Sequence, residues 1–272
     1  MMRFSLCNEV VRELDFPAQC RLARSLGYDG LEIAPFTLDA EAAHLLPAAR
    51  RAELRRIADA EGVALTGLHW LLVAPAGMSI TNGDARTLDV MARLVGLAAD
   101  LGAGYLVHGS PFQRVAASPE DAARAEAAMA HAGRCAAAAG VTYVLEPLAP
   151  PDNSWCHTVA EAVAIVDRIG NPALRTMIDV SAAGNAETED VPALIERWLP
   201  TGRIAHIHLN DRNRRGPGQG GDRFSPILAA LRAVGYEGIC GVEPFDYIPD
   251  GPGCAARAIG YLRGIEEALD HG

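Results

Sequence analysis

The chain of 272 residues has little of several features that would mark a particular class of protein. Its six cysteines are scattered and form no Cys-x-x-Cys pair, so zinc-ribbon spacing is absent. No stretch approaches the roughly 20 apolar residues of a membrane span, and the N-terminus lacks the apolar run of a signal peptide. The net charge of -10 argues against nucleic acid or an anionic membrane as the main partner, because either would favour a basic face. We therefore expect a cytoplasmic protein with reduced thiols and neither of these partners.

The chain does contain a regular alternation of short apolar runs and longer helical patterns. We predict strands at residues 3–7, 30–33, 63–69, 105–107, 141–145, 175–178, 204–209 and 239–242. We predict helices at residues 16–25, 39–60, 84–101, 118–139, 158–169, 190–198, 224–234 and 254–269. Such alternation implies a parallel sheet with helical crossovers. Eight units in about 250 residues fit a closed (β/α)8 TIM barrel better than an open sheet. Since no linker-like segment divides the chain, residues 1–272 are predicted to form a single α/β domain.

Titratable residues follow the apolar run of nearly every predicted strand. They are Glu9, Glu32, His69, His108, Glu146, Asp179, His208 and Glu243. In a (β/α)8 barrel these positions lie at the C-terminal ends of the strands, the face on which sites are built. A single acid there would more often cap a turn or a helix, but the whole set is better explained by a shared site.

Four of these residues end the fifth to eighth strands, which are neighbours around a barrel: Glu146, Asp179, His208 and Glu243. Three carboxylates and one imidazole form an oxygen-rich set that suits Mn²⁺, Mg²⁺ or Co²⁺. Without a cation, converging carboxylates would repel one another. A metal that holds adjacent hydroxyl and carbonyl oxygens acidifies the neighbouring C–H. Glu146 and Glu243, each followed by proline, would then serve as two bases on two faces, permitting epimerisation or keto–aldo isomerisation through an ene-diolate.

Several motifs carry a resemblance to a known family. They are CNEV at Cys7, GYDGLEI at Gly27, HGSPFQR at His108, LEPL at Leu145, HIHLND followed by NRRGPGQG, and GYEGICGVEPF at Gly235. Together they resemble the xylose isomerase-like TIM-barrel family of sugar epimerases and isomerases. The likeness is strongest to the branch of D-tagatose 3-epimerase, inosose isomerase and hydroxypyruvate isomerase, and it extends over nearly the whole chain.

The resemblance implies a carbohydrate substrate, a homo-oligomer (dimer or tetramer) and one divalent metal ion, with Mn²⁺ ahead of Co²⁺ and Mg²⁺. It implies that the metal ligands are Glu146, Asp179, His208 and Glu243, and that Glu146 and Glu243 transfer protons. It also implies contacts to substrate oxygens from Arg214 and Asp152. Other strand ends add candidate substrate contacts at His69, His108 and Glu32. We expect His206 and Glu187 to lie behind the ligands, although a plain structural role for His206 is equally open.

One departure bears on the reaction. The epimerases of this family have the pattern Asp-x-x-His-x-x-x-x-Glu after the sixth strand. Here Asp179 and Glu187 match, but Ala182 takes the place of the histidine. Ser181 or Asn185 could replace a hydrogen bond of that histidine but not its titrating imidazole.

Three other functions are compatible with parts of the pattern. A metal-dependent lyase that performs β-elimination on a keto-sugar needs only one strong base, so the missing histidine affects it less. A phosphodiesterase acting on abasic DNA would need more His and Asp ligands and a basic face. A binding module with an inactive site is the third alternative. We expect a sugar isomerase or epimerase.

Overall fold

The strands that the alternation predicts are present in a computed structural model, which describes residues 1–151 and 154–271. They are β1 (Arg3–Cys7), β2 (Gly30–Ile33), β3 (Ala64–Leu68), β4 (Tyr105–His108), β5 (Thr142–Leu145), β6 (Leu174–Asp179), β7 (Ile204–Leu209) and β8 (Ile239–Val242). Each strand pairs in parallel with the next, and parallel pairing of β1 with β8 closes the barrel. The predicted (β/α)8 barrel is confirmed.

Helices cover the outside of the barrel. They are α1 (Phe16–Leu26), α2 (Ala48–Glu61), α3 (Ala85–Leu101), α4 (Pro119–Ala139), α5 (Val159–Ile169), α6 (Val180–Ala186), α7 (Val191–Trp198), α8 (Phe224–Ala233) and α9 (Gly251–His271). The first five end at glycines whose left-handed backbone suits a helix C-terminus. Side-chain caps that accept a backbone N–H begin α1, α3, α4, α5 and α7: Asp15, Asp84, Ser118, Thr158 and Asp190. In the part of the chain that the structure describes, no helix is long and apolar enough to cross a membrane.

One helical prediction was wrong, and one helix was not predicted. The second helix begins at Ala48 rather than at residue 39, because Asp39 accepts the backbone N–H groups of Glu41 and Ala42 and so forms a turn. A short helix, α6, occupies Val180–Ala186, where we predicted no helix. It begins directly after β6, where the side chain of Asp179 accepts the backbone N–H of Ala182.

The inside of the barrel changes from apolar to polar along its axis. At one level a small cluster of Tyr105, Val107, Val144 and Met177 fills the interior. Towards the C-terminal ends, the fully buried Glu32, His206 and His208 replace apolar side chains. Buried polar groups require partners, so this end of the barrel is where a network of side chains must form.

Candidate active site

A cleft of about 390 Å³ opens over the C-terminal ends of the strands. Its lining includes the carboxylates of Glu146, Asp179 and Glu243 and the rings of Trp70 and Phe245. Concave sites with an apolar lining and a few convergent polar groups are typical of small-molecule binding.

The four predicted metal ligands lie together: three line this cleft, and the fourth, His208, is buried beside them. Glu146, Asp179, His208 and Glu243 each offer a nitrogen or oxygen atom, and these atoms lie within 4.8 Å of one another. All four side chains are buried. The strand count predicted that these residues lie at neighbouring strand ends, and in the structure their side chains form one cluster.

Asp179 is held by one backbone donor and one side-chain donor. Its Oδ1 accepts the N–H of Ala182 at 2.7 Å, and its Oδ2 accepts Asn210 Nδ2 at 2.7 Å. Asn210 also donates to the carbonyl of Glu243 at 3.1 Å and accepts the N–H of Ser181 at 2.9 Å. Asn210 therefore ties the ends of β6, β7 and β8 together, a role that the sequence did not reveal.

Glu146 occupies space that only glycine leaves open. A Cβ atom at Gly109, which follows β4, would overlap the Glu146 carboxylate. Among the residues described, none donates a hydrogen bond to that carboxylate. The Glu146 side chain is therefore buried yet directed at the cleft, with its oxygens available to a ligand.

His208 presents its two ring nitrogens to different groups. Its Nε2 lies 3.0 Å from Glu32 Oε1, which fixes the ring from inside the barrel. Its Nδ1 lies 2.8 Å from Glu243 Oε2 and 3.9 Å from Asp179 Oδ2. This buried Nδ1 makes no well-aligned hydrogen bond with any described residue. A buried nitrogen that faces carboxylates without a proper hydrogen bond suits coordination of a cation.

The electrostatics of the cluster also favour a cation. Burial, followed by the charges of Glu243 and Asp179, raises the pKa of Glu146 well above its ordinary value. Burial and Glu243 raise the pKa of Asp179 to about 6. Burial opposes the charge of His208, but Glu243 and Glu32 outweigh it and raise the His208 pKa. The carboxylates disfavour one another's ionisation, and a divalent cation among them would remove that repulsion.

The donor set therefore fits a divalent metal ion. Three carboxylates and one imidazole Nδ1 supply hard oxygen ligands and one nitrogen, as Mn²⁺, Co²⁺ and Mg²⁺ accept. A carboxylate on the far nitrogen of a ligating histidine is the usual support of such a ligand. Glu32 occupies that position on His208.

Glu32 is the centre of a buried network inside the barrel. Its second oxygen, Oε2, accepts a hydrogen bond from Tyr105 Oη at 2.7 Å. The same oxygen lies 3.1 Å from His206 Nε2. A Cβ at Gly241 would come within 2.8 Å of Glu32 and 2.7 Å of His208. Glycine at this position of β8 is thus required for the two side chains to meet.

Replacing Glu32 by glutamine should weaken divalent-metal binding about 10- to 100-fold, because the support of His208 loses its charge. Titration of the metal-free protein with Mn²⁺, followed by electron paramagnetic resonance of the free ion, measures this affinity. Tyr105→Phe is the matched control, since it removes a donor to Oε2 and leaves the oxygen that holds His208. Equal affinities in wild type and Glu32→Gln would contradict the role.

Three of the predicted substrate contacts do not line the cleft. Glu32, His69 and His108 are all fully buried. His69 Nε2 lies 2.7 Å from Glu9 Oε2, and His108 Nδ1 lies 2.9 Å from Tyr143 Oη. Burial and then Arg114 lower the pKa of His108 to about 3, so this ring is neutral. Direct contact of these three side chains with substrate does not follow from their positions, and we interpret them as internal supports.

The remaining predicted residues have varied positions. Arg214 lines the cleft with its guanidinium 5.2 Å from the ring centroid of Phe245. His206 stacks against Tyr105 at 4.2 Å between ring centroids and lies behind His208. Glu187 lies away from the ligands, because its Oε1 accepts the N–H of Val159 at the start of α5. Asp152 lies outside the described residues.

The position of the missing histidine is part of the cleft. Ala182 lines it together with Ser181 and Asn185. Asn185 Nδ2 donates to the carbonyl of Ser181 at 2.8 Å, which fixes its side chain at the end of the first turn of α6. Relative to the family pattern, this wall of the cleft has a methyl group in place of an imidazole.

Trp70 belongs to the site and was not predicted as part of it. The residue follows His69 after β3, lines the cleft, and donates its indole Nε1–H to Glu243 Oε1 at 3.1 Å. A tryptophan after a strand has no motif that marks it as functional. Its role depends on the loop after β3, which brings Trp70 to Glu243 at the end of β8.

Comparisons with known proteins agree with this fold and site. A family model described as a xylose isomerase-like TIM barrel matches residues 20–265. The chain is 30% identical over 200 residues to an L-ribulose 3-epimerase of Mesorhizobium japonicum, which covers 70% of this chain and 65% of that protein. It is 27% identical over 244 residues to a D-psicose 3-epimerase of Ruminiclostridium cellulolyticum, which covers 86% of this chain and 79% of that protein.

Solved structures show the same architecture. An L-ribulose 3-epimerase superposes with a TM-score of 0.81 at 24% identity, covering 100% of this chain and 96% of that one. A 3-keto-D-glucoside 4-epimerase from E. coli superposes with a TM-score of 0.81 at 18% identity, covering 97% and 100%. At these identities the structural likeness shows the fold alone.

Proposed function

Because this chain belongs to the xylose isomerase-like TIM-barrel family, we propose that it is a divalent-metal-dependent sugar epimerase of the ketose 3-epimerase type. The observation that carries the proposal is the cluster of Glu146, Asp179, His208 and Glu243 beside an open cleft. Its two glutamates follow β5 and β8, which are separated in the barrel by β6 and β7. We therefore propose that they approach a bound sugar from different directions. This arrangement is what removal of a proton from one face and its return to the other requires.

The proposed metal ligands are the same four residues, with Mn²⁺ as the ion and Co²⁺ or Mg²⁺ as alternatives. These residues would hold a divalent cation, which would supply Lewis-acid chemistry that polarises a sugar carbonyl and acidifies the adjacent C–H. Glu146 and Glu243 move the proton between substrate faces, passing through an ene-diolate. Arg214 offers forked N–H donors at the rim, suited to adjacent sugar oxygens. The aromatic rings of Trp70 and Phe245 line the cleft beside Glu243 and would shield a bound sugar from water.

The substrate proposed is a ketose or a close relative such as a keto-inositol or a sugar acid. Two relatives are named for L-ribulose and D-psicose, which directs the first choice of substrates. A homo-oligomeric assembly, a cytoplasmic location and the absence of a nucleic-acid partner accompany this proposal.

Because Ala182 stands where the family pattern has a histidine, a lyase is the second candidate. A reaction that eliminates a group β to the carbonyl needs one base, so loss of the family's histidine after β6 affects it less than a two-base epimerisation. The same cleft and metal ligands would serve either reaction. Only the fate of the substrate distinguishes them.

Proton exchange in D₂O distinguishes the candidates. The Mn²⁺-loaded protein is incubated with a panel of ketoses that includes L-ribulose and D-psicose, and with keto-inositols and sugar acids, and followed by NMR. We expect an epimer that carries deuterium at the inverted carbon. Exchange accompanied by loss of water or of a substituent would favour the lyase. Absence of C–H exchange across the panel would contradict both.

A further inference from the structure

The backbone of Trp70 has an unusual conformation. Its φ is +50°, in the left-handed region, where a bulky side chain is a genuine outlier. Leu72, two residues later in the same loop, has a φ of +66°. Non-glycine residues in this region persist only where the surroundings determine them, and they concentrate at active sites. The loop after β3 therefore holds Trp70 in place against its local preference.

Aromatic neighbours fix the indole ring. Phe36 packs edge-on at 6.3 Å between ring centroids, with the planes at 76°. Phe245, two residues beyond Glu243, packs at 6.0 Å and 53°. With the ring held by both neighbours, the direction of the indole N–H is set before any substrate binds. That N–H is directed at Glu243 Oε1, 3.1 Å away.

The contact makes the two glutamates unequal. Glu243 Oε1 accepts the indole N–H of Trp70, whereas its Oε2 faces His208 Nδ1 at 2.8 Å without a well-aligned hydrogen bond. Glu146 accepts no hydrogen bond from residues 1–151 or 154–271. An N–H donor fixes the orientation of the carboxylate that accepts it. Glu243 is thus the oriented carboxylate of the pair, and Glu146 the one whose orientation depends on the ligand.

We propose that Trp70 is a positioning residue that orients Glu243 as the base which removes the substrate proton. The assignment rests on the proposed function of Glu243 in proton transfer. In this assignment Glu243 Oε1, held by the indole N–H, takes the proton from carbon, and Glu146 returns a proton to the opposite face. Glu146 carries the returned proton at the start of the reaction. Afterwards Glu243 is protonated and Glu146 is ionised, so exchange of protons with water restores both glutamates for the next turnover.

A pair of substitutions separates the donor from the ring. Trp70→Phe keeps an apolar ring but removes the N–H. Trp70→His restores an N–H, because imidazole Nε2 occupies the same place in its five-membered ring as indole Nε1 after a flip about χ2. Histidine also tolerates positive φ better than most residues.

We expect Trp70→Phe to lower kcat about 10- to 100-fold, the effect of one lost hydrogen bond to a charged group. KM and Mn²⁺ affinity should stay within about threefold, because the ligands are intact. Trp70→His should recover a substantial part of kcat. Wild-type kcat in Trp70→Phe, or equal losses in both variants, would overturn the proposal.

An NMR measurement tests the contact without turnover. The chain has three tryptophans, so the indole N–H region contains three signals, and Trp70→Phe identifies that of Trp70. Glu243→Gln should shift this signal and leave those of Trp155 and Trp198 in place. An unchanged Trp70 signal would overturn the proposal even in an active enzyme. A shifted signal in a protein inactive on every sugar would instead refute the proposed function and leave the contact standing.

Discussion

Substitution of either Glu146 or Glu243 by glutamine is expected to abolish measurable epimerisation. Glutamine keeps the shape and one ligating oxygen of each side chain but cannot accept or release a proton near neutral pH. Removal of a positioned acid or base costs about 10²- to 10⁴-fold in rate. Because each glutamate is also a proposed metal ligand, we expect losses at the upper end of that range. Initial rates of epimer formation by wild type and both variants, at saturating Mn²⁺, measure the effect.

Glu187→Gln is the matched control for these variants. Glu187 also follows β6 and was predicted from the family pattern, but its carboxylate caps α5 through the N–H of Val159. Its substitution should leave the rate within about threefold of wild type, since surface and capping changes act on stability. Substantial turnover by either Glu146→Gln or Glu243→Gln would sink the two-base mechanism.

The two variants should also differ in hydrogen exchange. If Glu243 is the base, Glu146→Gln still removes the substrate proton and exchanges it with D₂O, but returns it to the same face. Glu243→Gln should show neither exchange nor inversion from that substrate. The reverse pattern would exchange the two roles and contradict the assignment based on Trp70.

The fold could be predicted because its signals are local. The bounds of β1, β2 and β8 agree with the prediction, since each lies between a helix or turn signal and a strand-end polar residue. Caps such as Ser118 and C-terminal glycines such as Gly140 define α4 from sequence alone. The predicted start of α2 was wrong because Asp39 resembles a helix cap but forms a turn instead. Nothing local distinguishes these two uses of an aspartate.

The site was predictable only in part, because a strand-end position does not say where a side chain points. Glu32 is the third of four residues in β2 and so lies one layer below the cleft, where it supports His208. His108 is the last residue of β4 and turns towards Tyr143. Trp70 and Asn210 each form hydrogen bonds with residues of other strand ends, distant in sequence. No sequence motif predicts such contacts. The strand-end pattern did identify four residues whose side chains meet in the structure: Glu146, Asp179, His208 and Glu243.

Removal of the metal is expected to abolish activity, and Mn²⁺ or Co²⁺ to restore it. Treatment with EDTA followed by desalting gives the metal-free protein, whose activity is assayed before and after addition of each ion. The same preparation should unfold at a lower temperature than the metal-loaded protein, because a ligand that binds only the folded state stabilises it. Unchanged activity after complete removal of metal, verified by elemental analysis, would refute the metal role.

Metal affinity should also rise with pH. The pKa of Asp179 is raised to about 6 by burial and Glu243, and burial together with Glu243 and Asp179 raises the pKa of Glu146 well above its ordinary value. Below these values the metal-free site holds protons, and a cation must displace them. The apparent Mn²⁺ affinity should therefore increase as pH rises from about 5 to 7, by up to about tenfold per unit for each proton released.

Asp179→Asn separates the proton of this residue from that of Glu146. The variant should bind Mn²⁺ more weakly at pH 7, because it lacks one charge, and its affinity should depend less on pH around 6. Isothermal titration in buffers of different ionisation enthalpy counts the protons released by each protein. If the wild-type affinity is constant from pH 5 to 7 and no proton is released, the carboxylates are ionised without the metal. That outcome would contradict the raised pKa values of Asp179 and Glu146, which argue for a cation in this cluster.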